Sequence, residues 1–332
     1  MPTSIRPYRC PNCHSTELMS RDVDSMACEC GTTYSIRYGI IDFIPEPSQA
    51  IRHELEGLAH ENNVPVDDRC ESAKLLRTAR IETLDDLMTT SRHEPGQYYQ
   101  QTMASYMEGL SRAQVDSAMK VLEIGSERRF AKLTMIKDFC AEAYALNIFF
   151  HISDENEDLA WPSRVLGDMN DLPFADGYFD LIVCSATLHH TATLPLAVKE
   201  IARVLRAGGR AVIVNEPVEG RIKTLGKRRQ DDRANRDEHI HEDPVTMQQW
   251  RHSIKASGLR EDPFLPKWFG QQVARIDALP EGVRFAGLAK RLSPVFRHST
   301  TRDLLGVAGR RLGQSLLGLP LNVVLWKDAT SS

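Results

Sequence analysis

Four cysteines near the amino terminus have the type and spacing of a metal site. Cys10-Pro-Asn-Cys13 and Cys28-Glu-Cys30 are two short pairs separated by fourteen residues. Two tight turns, each offering two thiolates, can surround one tetrahedral Zn²⁺. Four sulfurs close the shell and leave no open position for a substrate, so a zinc ion there is expected to be structural. A segment spanning 1–45 is too short to bury a sufficient core, and a metal would supply much of its stability. Downstream, Glu238, His239 and His241, with Asp243 nearby, offer substrate contacts, ligands for a divalent ion, or merely a solvated loop. His189 and His190 are further candidates, because an imidazole with a pKa of about 6.5 suits proton transfer near neutral pH.

The elements that position these groups are clearest between Asp171 and Pro217. Asp180–Cys184 (DLIVC) is a continuous apolar run, as in a strand buried on both faces. Pro195–Leu205 places Leu196, Val198, Ile201, Ala202, Val204 and Leu205 on one helical stripe, with Lys199, Glu200 and Arg203 opposite. Gly208-Gly209 is expected to stop that helix, and Arg210–Asn215 (RAVIVN) reads as a second buried strand. Strand, crossover helix and strand imply a parallel sheet. Lys120–Ile124 and Ala143–Ile148 read as further strands, and Ile51–His60, Ser72–Thr89, Tyr98–Leu110 and Met247–Gly258 as helices.

The run Asp168-x-x-x-Leu-Pro-Phe174-x-Asp176-x-x-Phe-Asp180, then Leu188-His-His190, Glu200-Ile201, Arg203-Val-Leu205 and Gly208-Gly209, resembles the class I S-adenosylmethionine (SAM)-dependent methyltransferases. Within them it is similar to the type 11-like branch, which methylates small molecules, sugars and some RNA bases. The resemblance is dense from about Val121 to Pro217. It implies an α/β fold: a doubly wound, mostly parallel, seven-stranded Rossmann-like sheet, completed by an antiparallel strand at Leu319–Lys327. The amino-terminal segment through Tyr34–Ile44 resembles zinc ribbons in front of certain methyltransferases, and small zinc-ribbon proteins that activate such enzymes.

The same resemblance assigns roles. Glu123 and Gly125 match the start of an acidic-x-Gly-x-Gly-x-Gly turn, whereas Glu127 and Arg129 replace its later glycines. Asn147 falls where the family has an acidic residue that accepts both ribose hydroxyls. Asp168 is expected to face the adenine amino group, and the Met169 amide its ring. Ser185, His189 and His190 would stand at the mouth of the site, with either histidine as proton acceptor or as a packing residue. Glu216 would face the pocket, and Glu238, His239 and His241 would belong to a segment closing over the acceptor.

These readings divide the chain into a zinc ribbon (1–45), a helical connector and cap (46–119) and a SAM-dependent methyltransferase domain (120–332) with acceptor-side insertions at 219–318. A hydrophobic content of 42% with 26% charged residues fits an ordinary globular protein. A net charge of −4 gives no global pull towards nucleic acid. Seven cysteines, an odd count with four clustered at one end, argue against a disulfide framework. With no export signal or membrane span recognised, the expected location is cytoplasmic. The expected function is methyl transfer from SAM to O or N of a small-molecule or glycan-type acceptor. Two alternatives stay open: an rRNA or tRNA base methyltransferase, and a catalytically silent binding or regulatory protein of the same fold. The ribbon lacks the dense Lys/Arg and stacking aromatics of an RNA grip.

Overall fold

The computed structural model describes residues 7–62, 97–116, 118–126, 131–150, 161–191, 193–219, 245–266 and 320–329. The expected helix over Ser72–Thr89 and the segments 220–244 and 267–319 lie outside the described residues.

Strands β1 (Leu18–Ser20), β2 (Ser25–Cys28), β3 (Thr33–Arg37) and β4 (Ile40–Asp42) form an antiparallel meander. Helices α1 (Gln49–Asn62) and α2 (Gln97–Arg112) follow. Strand β5 (Met119–Ile124), the short helix α3 (Ala131–Met135), β6 (Cys140–Asn147), β7 (Ser163–Leu166), β8 (Phe179–Ser185), α4 (Leu194–Val204) and β9 (Leu205–Glu216) build the centre. The two-residue strands β10 (Val218–Glu219) and β11 (Val245–Thr246) pair with each other, ahead of α5 (Met247–Ser257). Strands β12 (Arg260–Pro263) and β13 (Leu321–Trp326) complete the described elements.

The main sheet has the order β1-β2-β3-β4-β7-β6-β5-β8-β9-β13-β12. Its inner strands carry a core on each face, as their continuous apolar runs require. Along β5, Val121 joins Leu181, Val183, Val212 and Val324 beneath α1 and α2. Leu122 and Ile124 join Ile182, Ile213 and Val323 against α4 and α5 on the other face.

Three expectations are corrected. Among the described residues the sheet has eleven strands rather than seven, because β4 pairs in parallel with β7 and the amino-terminal meander continues the sheet. Five pairings are therefore parallel and five antiparallel, so the sheet is mixed. Finally, α4 ends at Val204, and β9 runs from Leu205 straight through Gly208-Gly209. Those glycines serve a bulge: Gly208 has φ +74°, and the register against β8 shifts there. A Cβ on Gly209 would sit 2.8 Å from the Arg206 carbonyl oxygen.

Candidate active site

The strand order runs outward in both directions from β5 and β8, which makes their carboxyl ends a topological switch point. A cleft of about 860 Å³ opens there, roofed by the start of α1. Gly125, Asn147, Asp168, Met169, Thr187 and His190 all line it, together with Glu54 of α1.

The turn after β5 is built on close approach. Gly125 has φ +70°, and a Cβ there would lie 2.2 Å from Thr187 Cγ2. Only glycine meets both the conformation and the space. The Gly125 amide donates to the Leu146 carbonyl at 2.9 Å, tying the turn to β6. Glu123 points into the interior rather than the cleft. It accepts the Ser126 hydroxyl at 2.6 Å and lies 3.7 Å from Lys132 Nζ, with both side chains 2% exposed. Its place in the motif therefore braces the turn from beneath. Glu127 and Arg129 lie outside the described residues.

Asn147 bridges the first two loops. Its Nδ2 donates to the Ser126 carbonyl at 2.9 Å, and its Oδ1 accepts the Ile148 amide at 2.8 Å. A carboxylate could not make the first of these bonds, so asparagine fits its local role, and one N–H is left over for a ligand hydroxyl. Asp168 Oδ1 accepts both the backbone and side-chain N–H groups of Asn170, at 2.7 and 2.9 Å. This Asx turn leaves the second carboxylate oxygen out of its bonding.

At the ends of β8 and β9 the two histidines part company. Glu216 is fully buried and accepts the amides of Thr187 and Leu188 through Oε1 at 2.8 and 3.0 Å. Its Oε2 accepts the His189 amide at 3.2 Å and lies 3.1 Å from His189 Nδ1. Glu216 thus caps the Leu188–His190 turn from below, with no surface left for a substrate, and His189 is committed to it. His190 stacks on His189 with centroids 4.1 Å apart and lines the cleft itself. Its Nδ1 lies 3.4 Å from Glu54 Oε2. Ser185 is buried behind the cleft, and its hydroxyl has no hydrogen-bond partner among the described residues. Glu238, His239 and His241 lie outside the described residues.

Glu54 escaped the sequence reading. The signal was available: an acid between Ile51 and Leu55, on the stripe that α1 buries. Glu200 and Arg203, on the stripe opposite the apolar one, hold the loop after β7. Arg203 donates to the carbonyls of Leu172 and Phe174 and to Glu200, and Glu200 accepts the Leu172 amide.

The four amino-terminal cysteines converge. The sulfurs of Cys10, Cys13, Cys28 and Cys30 all lie within 4.8 Å of one another, with Cys10–Cys30 at 3.8 Å and Cys13–Cys28 at 3.4 Å. A tetrahedral zinc–thiolate site with bonds of about 2.3 Å spaces its sulfurs about 3.8 Å apart, so the four side chains fit such an ion. The Thr32 hydroxyl draws the Cys30 thiol down to about 6, while burial pushes Cys28 up to about 12.

Part of the chain is similar to known proteins. Residues 122–213 match the family described as "Methyltransferase domain". The chain is 38% identical over 66 residues to demethylmenaquinone methyltransferase of Mycolicibacterium gilvum, covering 19% of this chain and 29% of that protein. It is 43% identical over 49 residues to the uncharacterized methyltransferase YcgJ of Bacillus subtilis, covering 15% and 19%. The chain therefore spans less than a third of the length of these curated relatives. The solved YcgJ structure is 17% identical, over 68% of this chain and 99% of that one, with a TM-score of 0.42. Geranyl diphosphate C-methyltransferase from Streptomyces coelicolor is 12% identical, over 86% and 100%, with a TM-score of 0.48. Over residues 122–213 the chain is thus similar to methyltransferase domains.

Proposed function

We propose that the chain is an active methyltransferase that passes the methyl group of SAM to O or N of a small-molecule or glycan-type acceptor. The observation that carries this reading is the cleft at the switch point, where Gly125, Asn147, Asp168 and His190 share one cavity. Its volume suits a nucleoside ligand with a small acceptor beside it.

In this reading the Gly125 turn admits the amino-acid part of the cofactor, Asn147 donates to a ribose hydroxyl, and Asp168 with the Met169 amide holds the adenine edge. When bound, SAM supplies a methyl group open to in-line displacement. The carboxylates of Glu54 and Asp168 favour a cationic ligand in the cleft. His190 accepts the acceptor's proton. Glu54 Oε2, 3.4 Å from Nδ1, stabilises the imidazolium that forms when Nε2 takes that proton. His189 and Glu216 support the turn that presents His190. Zn²⁺ held by Cys10, Cys13, Cys28 and Cys30 is structural.

Calorimetry with SAM and with S-adenosylhomocysteine (SAH) tests the reading, followed by SAH release against a panel of phenols, amines and sugar hydroxyls. Binding of both nucleosides and turnover with a panel member are expected. No heat with either would make the fold a silent scaffold. Salt-sensitive retention on RNA, with turnover there alone, would move the acceptor to a nucleic-acid base.

A further inference from the structure

The ribbon grips the turn that follows β7 from both sides. On the approach, β4 pairs with β7 through Ile41–Val165 and Asp42–Leu166, and the Phe43 amide donates to the Leu166 carbonyl at 3.0 Å. Gly167 and Asp168 come next in the chain. On the exit, the Arg9 amide donates to the Pro173 carbonyl at 3.2 Å, and the Ala175 amide to the Pro7 carbonyl at 2.7 Å. Between them Tyr8 bridges to Phe174 and packs its ring 5.8 Å from that of Phe174.

The segment Pro7–Arg9 that makes these exit contacts runs directly into the cysteine knuckle. Arg9 precedes Cys10, and its guanidinium, 12% exposed, lies 3.8 Å from Asp171 and 3.9 Å from Glu200. His14, on the far side of Cys13, places Nε2 3.7 Å from Asp171. Asp171 in turn bridges back to Asp168, its amide donating to the Asp168 carbonyl at 3.2 Å. A short chain of contacts therefore joins the sulfurs to the adenine side of the cleft.

We propose that the cysteine knuckle is a clamp on the adenosyl-binding turn, with Arg9 as the positioning residue that transmits it. The proposal rests on the methyltransferase reading for the ligand, but not for the mechanical link. A metal at the four sulfurs fixes the path of 9–14, which fixes Arg9 and His14 against Asp171 and so holds the turn at 167–171. Losing the metal frees the exit side of the clamp, while Arg203 and β4 keep the sheet itself together.

The test uses the full-length, zinc-loaded chain, with hydrogen exchange of the amides of 167–175 and SAH affinity measured in parallel. Arg9→Ala is expected to keep its zinc, speed exchange across 167–175 and raise the SAH dissociation constant about tenfold. Arg9→Lys, which retains the charge, recovers part of both. Removing zinc with a chelator reproduces the effect while the amides of β5, β8 and β9 keep their protection, and returning zinc reverses it. Exchange unchanged across 167–175, both in Arg9→Ala and without zinc, overturns the clamp. If the zinc-loaded wild type binds no SAH, the methyltransferase reading fails alone, because the exchange measurement still decides the link.

Discussion

Gly125 and Thr187 approach so closely that position 125 has no room for a side chain. The ends of β5 and β8 meet there, and a Cβ would overlap three Thr187 side-chain atoms at 2.2 to 2.7 Å. Gly125→Ala also forces a left-handed conformation on alanine, so the variant should lose about 2–4 kcal/mol of stability. Urea unfolding measures the loss. Thr187→Ala removes the two closest atoms, so the double variant should lose less than the sum of the singles. Strict additivity would show that the crowding is not what selects glycine.

His189 and His190 are adjacent in sequence and separate in function. His190→Gln is expected to lower turnover about 10²–10⁴-fold, with SAH affinity within about twofold of wild type. Glu54→Gln should lower turnover about tenfold by the same route, since its charge stabilises the protonated imidazole. His189→Gln should instead appear in the unfolding midpoint. The readouts are SAH release with the panel acceptor and SAH calorimetry. Equal turnover defects in His189→Gln and His190→Gln, at equal stability, would remove the distinction.

The central strands were legible because they are buried on both faces: DLIVC and RAVIVN admit few other readings. The cysteine cluster was legible because metal coordination demands a spacing. What escaped was whatever depends on a distant partner. Gly208-Gly209 looks the same as a helix stop or as a bulge, and only the register against β8 decides. Arg203 occupies a helical position that usually meets water, but the carbonyls it binds belong to the loop at 172–174. Leu196 fits the apolar stripe of α4, yet it is 47% exposed at the rim of the cleft. The pairing of β4 with β7 is made by backbone groups, which carry no side-chain signature. Glu54 meets His190 only because α1 folds back over the strand ends.

At the opposite end of β5 and β6, Glu142 supports a pH prediction. Burial alone would raise its pKa, but the Tyr178 and Tyr144 hydroxyls and Lys120 outweigh it and hold the carboxyl below its usual range. A carboxyl depressed in the folded state adds stability above its unfolded pKa, and that share disappears as pH falls through the folded one. Glu142→Gln should therefore be less stable than wild type at neutral pH and converge with it in acid. Its SAH affinity should not change, since Glu142 does not line the cleft. Urea midpoints at several pH values check this; a constant gap down to the lowest pH would contradict it.

Glu216 carries the sharpest stability prediction, because its carboxylate is fully buried and four donors converge on it. Three are backbone amides at the start of the Leu188–His190 turn, which have no helical carbonyl to satisfy them. Glutamine keeps one acceptor oxygen and turns an N–H₂ group towards the remaining donors, so Glu216→Gln should cost about 2–4 kcal/mol. The damage should be local first. Exchange at Thr187–His189 should rise before the sheet unfolds, and turnover should fall with it because His190 sits at the end of the same turn. An unfolding midpoint and exchange rates equal to wild type would mean that these amides find other partners, and that Glu216 serves something other than the turn.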